Sequence, residues 1–213
     1  MKIRLINAYA ALAVAGALLA GTAGGQEKSA TDSKGDKAKE SEGANAEGMK
    51  RWQEAMTPGP SHKALESLAG EWNIEAKFWM AGPDGEPMVS KGTAKAHWIL
   101  GGRFLQEDVS SEMMNMPFQG MGITGYDNMK KKYVSSWVDN MGTAISTSEG
   151  TADADGKVFT FTGKMDDVMT GQKDKMFKYI TRVVSPDKHI FEMHDMSLGA
   201  KTKTGEITYT RKS

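Results

Sequence analysis

Apolar and polar residues alternate with a period of two through most of this 213-residue chain, beginning at Gly70 and ending at Arg211. The segment Trp72–Met80 shows the pattern well: each even position is apolar and three of the four odd positions are polar. This period is typical of a β-strand with one buried face. Clusters of turn-forming residues, such as Gly82-Pro83-Asp84-Gly85, separate the alternating segments. The sequence therefore predicts short strands joined by tight turns.

About ten such segments follow one another along the chain, and no long helical pattern interrupts them. This arrangement favours an up-and-down antiparallel meander. An open sheet of about ten strands would expose two unpaired edges, so closure into a barrel is the favoured solution. The predicted fold is all-β, a closed antiparallel barrel of about ten strands. A short helix over Ser61–Ala69 precedes it, because Ala64, Leu65 and Leu68 form an apolar helical face.

The first 23 residues have the pattern of a signal peptide. Lys2 and Arg4 precede the apolar segment Leu5–Ala20, and Gly21-Thr22-Ala23 supplies the small residues of a cleavage site. We expect cleavage after Ala23, with Gly25 as the second choice, and a periplasmic or secreted protein with no stable membrane span. An uncleaved anchor is the alternative, although the apolar segment is short for a membrane span. The absence of cysteine excludes disulfides and a lipid-modified N-terminus.

Residues 24–56 are predicted to form a disordered linker, and residues 57–213 the barrel domain. Gln26–Gly48 contains no large apolar residue, so it cannot bury enough surface to offset the entropy of ordering. One or two helical turns are expected around Trp52. Thr57-Pro58-Gly59-Pro60 then ends any helix, because proline removes a backbone donor.

Charge and motif content disfavour two classes of function. The chain has 27 Lys and Arg against 27 Asp and Glu, whereas a nucleic-acid-binding protein usually has a basic excess. No nucleophile elbow, HExxH motif or glycine-rich phosphate loop is found. An enzyme acting on a substrate in the lumen remains an alternative, with Glu107, Asp139 and Glu149 as acid–base candidates that no spacing singles out.

Several longer segments resemble the bacterial family called domain of unknown function 1579. They extend from Met56 to Lys212 and include MTPGPSHKALESLAGEW, WILGGRFLQED, GITGYDNMKKKYVSSWVDNMGT and EITYTRK. That family has no established activity, and its layout is similar to the calycins, the lipocalin-like barrels. A calycin carries Gly-x-Trp on its first strand and an arginine from its last strand over the indole. The resemblance implies that Gly70, Trp72 and Arg211 close one barrel end and have a structural role.

A barrel of this size has room for one small ligand, so the residues predicted to line its lumen are the candidate site. The strand containing Trp137 mixes aromatic and polar groups, and neighbouring strands add charged ones. If they face solvent instead, they have no binding role. Arg182 is the favoured anchor for a carboxylate, because its guanidinium donors match that geometry. The lumen candidates are Glu107, Tyr126, Trp137, Asp139, Thr147, Glu149, Arg182 and Glu192.

The leading hypothesis is an exported, non-catalytic barrel that binds a small hydrophobic or amphiphilic molecule and needs no cofactor. A haem-binding barrel is an alternative, with His194 as the weak candidate ligand because it shares strand parity with Ile190 and Met196. A copper-binding barrel is a second alternative, since the chain contains 16 methionines and methionine sulfur suits Cu(I). The methionine clusters are Met113-Met114-Asn115-Met116 and Met193-His194-Asp195-Met196.

Overall fold

The computed structural model describes residues 32–80, 82, 84–168, 170–199 and 202–213. The predicted signal peptide therefore lies outside the described residues. The chain divides into two units at Ala46–Glu47, and the barrel belongs to the second unit. Among the described helices, none combines the length and apolar character needed to cross a membrane.

Ten antiparallel strands form the barrel, and each pairs with its neighbours in the sequence. β10 pairs with β1, which closes the sheet on itself. The prediction of a closed up-and-down barrel is therefore confirmed. The strands are β1 (Gly70–Phe78), β2 (Met88–Ile99), β3 (Phe104–Met113), β4 (Met116–Asp127), β5 (Lys132–Asp139), β6 (Ser146–Ala152), β7 (Val158–Met165), β8 (Lys175–Ser185), β9 (Lys188–Asp195) and β10 (Lys203–Arg211).

Two helices precede the strands. Helix α1 spans Asp32–Met56, which differs from the linker expected for Gln26–Gly48. Its sequence is rich in Ala, Lys and Glu, which have high helix propensity even without an apolar face to bury. Lack of apolar residues to bury favours disorder in this segment, whereas its intrinsic propensity favours a helix. Helix α2 spans Pro60–Ala64 and continues into a 3₁₀ turn over Leu65–Leu68, as the apolar pattern predicted.

Helix α2 and the 3₁₀ turn cover one end of the barrel, which we call the capped end. Leu65 is 1% exposed and belongs to a core cluster with Leu105 and Phe159. The Tyr133 hydroxyl donates a hydrogen bond to the Ser61 carbonyl at 2.9 Å. The described residues of the loops 79–87, 114–115, 140–145, 166–174 and 196–202 lie at the opposite end, which we call the open end.

Strand register determines which side chains face the lumen, because directly paired residues lie on the same face of a sheet. Trp72, which is 0% exposed, pairs with Ala94 on one side and with Arg211 on the other. Following the pairs around the barrel places even-numbered residues of β1, β2, β4 and β6 inside. The inward residues are odd-numbered in β3, β5, β7, β8 and β9, and in β10 from Gly205 onward.

Candidate ligand site in the barrel lumen

The register brings four of the eight predicted lumen residues into the barrel. Glu107, Trp137 and Asp139 lie on inward positions of β3 and β5. Tyr126 also faces inward, near the capped end, where its ring meets that of Tyr133 edge to face at 5.0 Å. Only half of the residues predicted to line the lumen therefore face it.

The prediction is wrong for the other four, Thr147, Glu149, Arg182 and Glu192, which face the outer wall. In β6, Tyr133 pairs with Gly150, so the even positions face inward and Thr147 and Glu149 face outward. Hydrogen bonds from Lys130 and Lys132 on that outer wall lower the pKa of Glu149. In β8, Tyr179 pairs with the core residue Phe161, which turns Arg182 outward.

Arg182 and Glu192 interact with each other outside the lumen. The Arg182 Nε lies 3.4 Å from a Glu192 carboxylate oxygen. A guanidinium with this position and partner cannot anchor a ligand inside the barrel. Arg182 is therefore not on the lumen side of β8, and Lys175, the cation at an inward position of that strand, is already paired with Asp167 and Asp195.

The candidate haem ligand His194 also faces outward, contrary to the prediction. Its Nδ1 lies 3.0 Å from the Thr202 hydroxyl, and its Nε2 lies 3.7 Å from Glu192. The inward parity of β9 is that of Phe191 and Met193, not that of Ile190. The two candidate copper clusters lie on different hairpins, β3–β4 and β9–β10. Within the described ranges, no group of three His, Asp or Glu side chains could hold a metal ion.

His189 is the histidine that faces inward, and the sequence analysis did not select it. It is 4% exposed, stacks on the Tyr209 ring at 4.1 Å and meets the Trp72 ring edge to face at 4.4 Å. Burial, assisted by the positive charge of Arg211, lowers the pKa of His189 to about 3. A neutral ring enclosed in this way is a packing element near the capped end.

Glu107 and Tyr209 form the polar centre of the lumen. Burial raises the pKa of Glu107 to about 7, and a hydrogen bond with Tyr209 opposes part of this rise. Burial and the nearby Glu107 raise the pKa of Tyr209 well above its ordinary value, so its hydroxyl remains protonated. The raised pKa means that the Glu107 carboxyl holds a proton more readily than an exposed one, and a protonated carboxyl can donate a hydrogen bond as well as accept one.

Aromatic side chains surround this centre and are only half buried although they point inward. Phe118 stacks against Trp137 at 6.5 Å, and Tyr179 stacks against Phe191 at 5.9 Å. Each of the four retains accessible surface, as does Glu107. These inward-facing side chains are therefore not enclosed on all sides by other protein atoms.

Glycines on β4 make room for the largest of these rings. A Cβ atom added at Gly120 would overlap the indole of Trp137, and one at Gly122 would lie 3.0 Å from it. The Trp137 Nε1 donates to a carboxylate oxygen of Asp139 at 2.8 Å. This bond fixes the indole against the glycine wall.

An ion cluster lies at the open end of the lumen, because Lys175 and Asp195 occupy inward positions of β8 and β9. The Lys175 Nζ lies 2.7 Å from Asp195 and 2.8 Å from Asp167. The Lys175 and Asp195 side chains are 11% and 5% exposed, so the pair is largely removed from water. The cluster connects β8, β9 and the loop 166–174.

A shallow groove also lies over β3, β4 and β5, but on the outer wall. The side chains that face it come from the outward positions of these strands, including Asp108, Gln119 and Val138. The sheet separates this groove from Glu107 and from the aromatic lining. The lumen and not the groove therefore combines an apolar lining with a buried titratable group.

The closed ten-stranded meander with one helix-capped end defines this protein as an antiparallel up-and-down β-barrel. Residues 57–211 match the family model described as Protein of unknown function (DUF1579), and the chain belongs to that family. No curated protein matches the chain.

Two solved structures match large parts of the chain. The crystal structure of Rv2717c from M. tuberculosis has a TM-score of 0.53 and 14% sequence identity, and the match covers 74% of this chain and 100% of that one. A redesigned β-barrel has a TM-score of 0.39 and 10% identity, with 70% of this chain and 96% of that chain covered. The first likeness shows the fold alone.

Proposed function

We propose that the barrel binds a small, largely apolar molecule in its lumen and holds one polar group of that molecule at Glu107 and Tyr209. The observation that carries this proposal is the half-buried aromatic lining around a buried carboxyl group. Concave, mostly apolar sites with few placed polar groups are the usual form of small-molecule sites. Burying a carboxyl group is costly unless a partner satisfies it. A ligand that donates a hydrogen bond supplies such a partner.

The polar group of the ligand is a donor, such as a hydroxyl, an amide or an amine, and not a carboxylate. Arg182, the cation expected to hold a carboxylate, lies on the outer wall. Glu107 lies inside and, when ionised, would repel an anionic head group. The proposed ligand is therefore neutral or cationic at its polar end.

The proposed role is binding and not catalysis. Tyr209 keeps its proton because its pKa is raised, so the Glu107–Tyr209 pair does not supply an activated nucleophile. We further propose that the protein acts outside the cytoplasm, after cleavage following Ala23 as the N-terminal pattern predicts. N-terminal sequencing of the protein from its native envelope tests the cleavage. A mature chain that still begins at Met1 would overturn it.

The binding proposal is tested by titration with the neutral probe N-phenyl-1-naphthylamine, whose emission rises in apolar surroundings. We expect saturable binding to the wild-type protein. A Thr181→Trp variant fills the lumen, because Thr181 pairs with Phe159 on the inward face of β8. The matched control is Thr162→Trp on the exposed outer face of β7. Loss of probe binding in the first variant and its retention in the second support the lumen as the site.

Native mass spectrometry of protein purified from its own envelope gives the second measurement. A bound small molecule that Thr181→Trp displaces would support the proposal. Probe binding that both tryptophan variants reduce equally would place the site elsewhere. A wild-type protein that binds no probe and carries no ligand would overturn the proposal.

A further inference from the structure

Five methionines face the lumen, and all of them lie toward the open end of the barrel. Met88 and Met116 are the first residues of β2 and β4, and Met113 and Met165 are the last residues of β3 and β7. Met193 lies two residues before the end of β9. Each has the inward parity of its strand. No other inward position of the described strands holds methionine. We call these five residues the methionine rim.

Methionine does not contribute to the buried core of the described structure. The structure describes 14 of the 16 methionines, all but Met1 and Met169. Ten of these have exposed side chains, and the other four, all in the rim, are half-buried. Neither core cluster contains a methionine. Because methionine commonly fills gaps in protein cores, its distribution here is unusual. A reagent dissolved in water can reach the rim sulfurs without unfolding of the barrel.

The usual preferences of a β-sheet do not explain the rim. Strand positions favour β-branched and aromatic side chains, and methionine is neither. Met113 and Met116 pair directly across the two-residue turn of the β3–β4 hairpin, so their side chains lie next to each other on the inward face. The inward ion pair at this end, Lys175 with Asp195, is satisfied within the protein. The rim therefore supplies flexible apolar surface at the mouth of the lumen.

One sulfur of the rim contacts the aromatic lining of the lumen directly. The Tyr179 hydroxyl donates a hydrogen bond to the Met165 Sδ at 3.9 Å. Burial raises the pKa of Tyr179, so the hydroxyl keeps the proton that it donates. The same ring stacks on Phe191 at 5.9 Å. A chemical change at the Met165 sulfur therefore acts on a side chain of the proposed binding site.

We propose that the methionine rim is an oxidation site, and that its oxidation by a peroxide weakens ligand binding in the lumen. In each step the thioether sulfur attacks one oxygen of hydrogen peroxide. The sulfur–oxygen bond forms as the oxygen–oxygen bond breaks, and the second oxygen leaves as water. The sulfur loses two electrons, the peroxide gains them, and the product is methionine sulfoxide. The chain contains no cysteine, so no thiol of its own competes for the oxidant.

Oxidation reverses the character of the surface that an apolar ligand must contact at the mouth. A thioether is apolar and flexible, whereas a sulfoxide is polar and disrupts methionine-rich contact surfaces. At Met165 the added oxygen also offers the Tyr179 hydroxyl a stronger acceptor than sulfur. The core clusters contain no methionine, so the barrel itself should persist. This inference rests on the proposed function, because it concerns the affinity of the lumen for its ligand.

The test compares binding of N-phenyl-1-naphthylamine to the full chain before and after treatment with hydrogen peroxide. We expect the dissociation constant to rise about fourfold or more, the effect of losing apolar contact equal to about one buried methylene group. Peptide mass spectrometry should find sulfoxide at the rim, and far-ultraviolet circular dichroism should remain unchanged. Methionine sulfoxide reductases A and B, supplied with a thiol reductant, should restore binding.

Leucine variants identify the methionines that are responsible. In the rim variant all five rim residues become leucine, which conserves apolar character and approximate volume but cannot be oxidised. Each variant serves as its own reference, and the rim variant should have the same dissociation constant before and after peroxide. The control variant replaces four exposed methionines in the loops of the same end, and it should lose affinity as the wild type does. Its positions are Met80, Met114, Met141 and Met196, with 61%, 56%, 39% and 42% exposure.

A glutamine pair gives the same decision without any oxidant. Glutamine has a similar length to methionine sulfoxide and is likewise polar. Met113→Gln with Met116→Gln should therefore weaken probe binding in the untreated protein. Met114→Gln with Met141→Gln, in the neighbouring loops, is the matched control and should bind the probe as the wild type does.

Probe binding before oxidation separates the two proposals. A wild-type protein that binds no probe overturns the proposed function and this inference with it. A wild-type protein that binds the probe equally well before and after rim oxidation overturns this inference alone. So do rim sulfurs that stay reduced while the loop methionines are oxidised, a rim variant that still loses affinity, or a loss of the far-ultraviolet signal. Equal affinity of the two glutamine pairs would also overturn it.

Discussion

Arg211 lies with its guanidinium 4.1 Å from the ring centre of Trp72 and is also the partner of Trp72 in the ladder that joins the first and last strands. Its Nη1 donates to the Ala69 carbonyl at 3.1 Å and its Nε to the Pro186 carbonyl at 3.0 Å. One side chain therefore covers the buried indole and connects the closing strand to the helix side of the capped end.

Replacing Arg211 with alanine should weaken barrel closure. The cation–π contact and the two hydrogen bonds together are worth about 2–3 kcal/mol of unfolding free energy. Urea unfolding followed by tryptophan fluorescence measures the loss. The neighbouring exposed Lys212 gives the control, and Lys212→Ala should leave the midpoint unchanged. Equal effects of the two substitutions would show that the contact over Trp72 adds nothing to stability.

The sequence was sufficient to predict the barrel but not the lumen. The number of strands follows from the alternating segments and their turns, closure from the unpaired edges that an open sheet would have, and the capping helix from its apolar face. None of these requires knowing which residues pair between strands. Which face is inside depends on pairing between strands. In β8 the outward residue Ile180 is only 8% exposed. Apolar side chains therefore occur on both faces of this strand, and hydrophobicity does not identify the inward one. In β6, STSEGTA has small or polar residues on both faces, and parity cannot be chosen from it.

A pairing signal for β6 was nevertheless present in the sequence. Gly150 lies between the aromatic residues Tyr133 and Phe161 of its two neighbouring strands. A Cβ atom at Gly150 would lie 2.8 Å from the Phe161 ring, so the glycine accommodates an inward aromatic ring. A register that pairs Gly150 with inward aromatic residues of the neighbouring strands predicts that Gly150 faces inward, and hence that Thr147 and Glu149 face outward. His189 had no such signal, because its burial depends on β10 and β1 together.

Glu107 should make the protein less stable as the pH rises. Its pKa is about 7 in the folded protein against 4.5 without burial, so the folded state binds more protons between these values. Stability is therefore fully present below pH 4.5 and decreases through pH 7, by on the order of 3 kcal/mol. Glu107→Gln removes the effect, so the variant should be more stable than the wild type at pH 8 and equal at pH 4.

The control for this pH effect is Glu149→Gln on the outer wall. Lysine hydrogen bonds lower the pKa of Glu149, so its contribution has the opposite sign and is lost as the pH falls. This variant should be no more stable than the wild type at pH 8. A Glu107→Gln protein that follows the wild-type pH profile would show that Glu107 is not buried in the lumen as described.

His189 should have the opposite effect at acid pH. Its pKa is about 3 in the folded protein against 6.5 otherwise, so the unfolded state binds the extra proton. Stability is present above pH 6.5 and decreases as the pH falls towards 3, by on the order of 5 kcal/mol. His189→Phe keeps the aromatic packing and removes the titration. The difference between the two proteins should therefore change with pH in acid, and a constant difference would refute the assignment.

The buried ion cluster at the open end should be far more sensitive than an exposed pair in the same loop. Lys175→Met leaves Asp195, with its 5% exposed side chain, without its cation and should cost about 3–5 kcal/mol. Lys173 forms an ion pair of similar length, 2.8 Å, with Asp166, but these side chains are 76% and 56% exposed. Lys173→Met should change stability little. Urea midpoints of the two variants measure the contrast, and equal midpoints would contradict it.

Gly120 is the position where one added methyl group should disturb the lumen most directly. The new Cβ atom of Gly120→Ala would overlap the Trp137 indole, so the ring must move away from its place beside Phe118. Overpacking of this kind costs about 1–3 kcal/mol. Near-ultraviolet circular dichroism reports the ring movement, and urea unfolding reports the cost. Gly142→Ala is the control, because its Cβ would have no neighbour closer than 4.0 Å. A Gly120→Ala protein with wild-type dichroism and stability would mean that the indole does not rest on this strand.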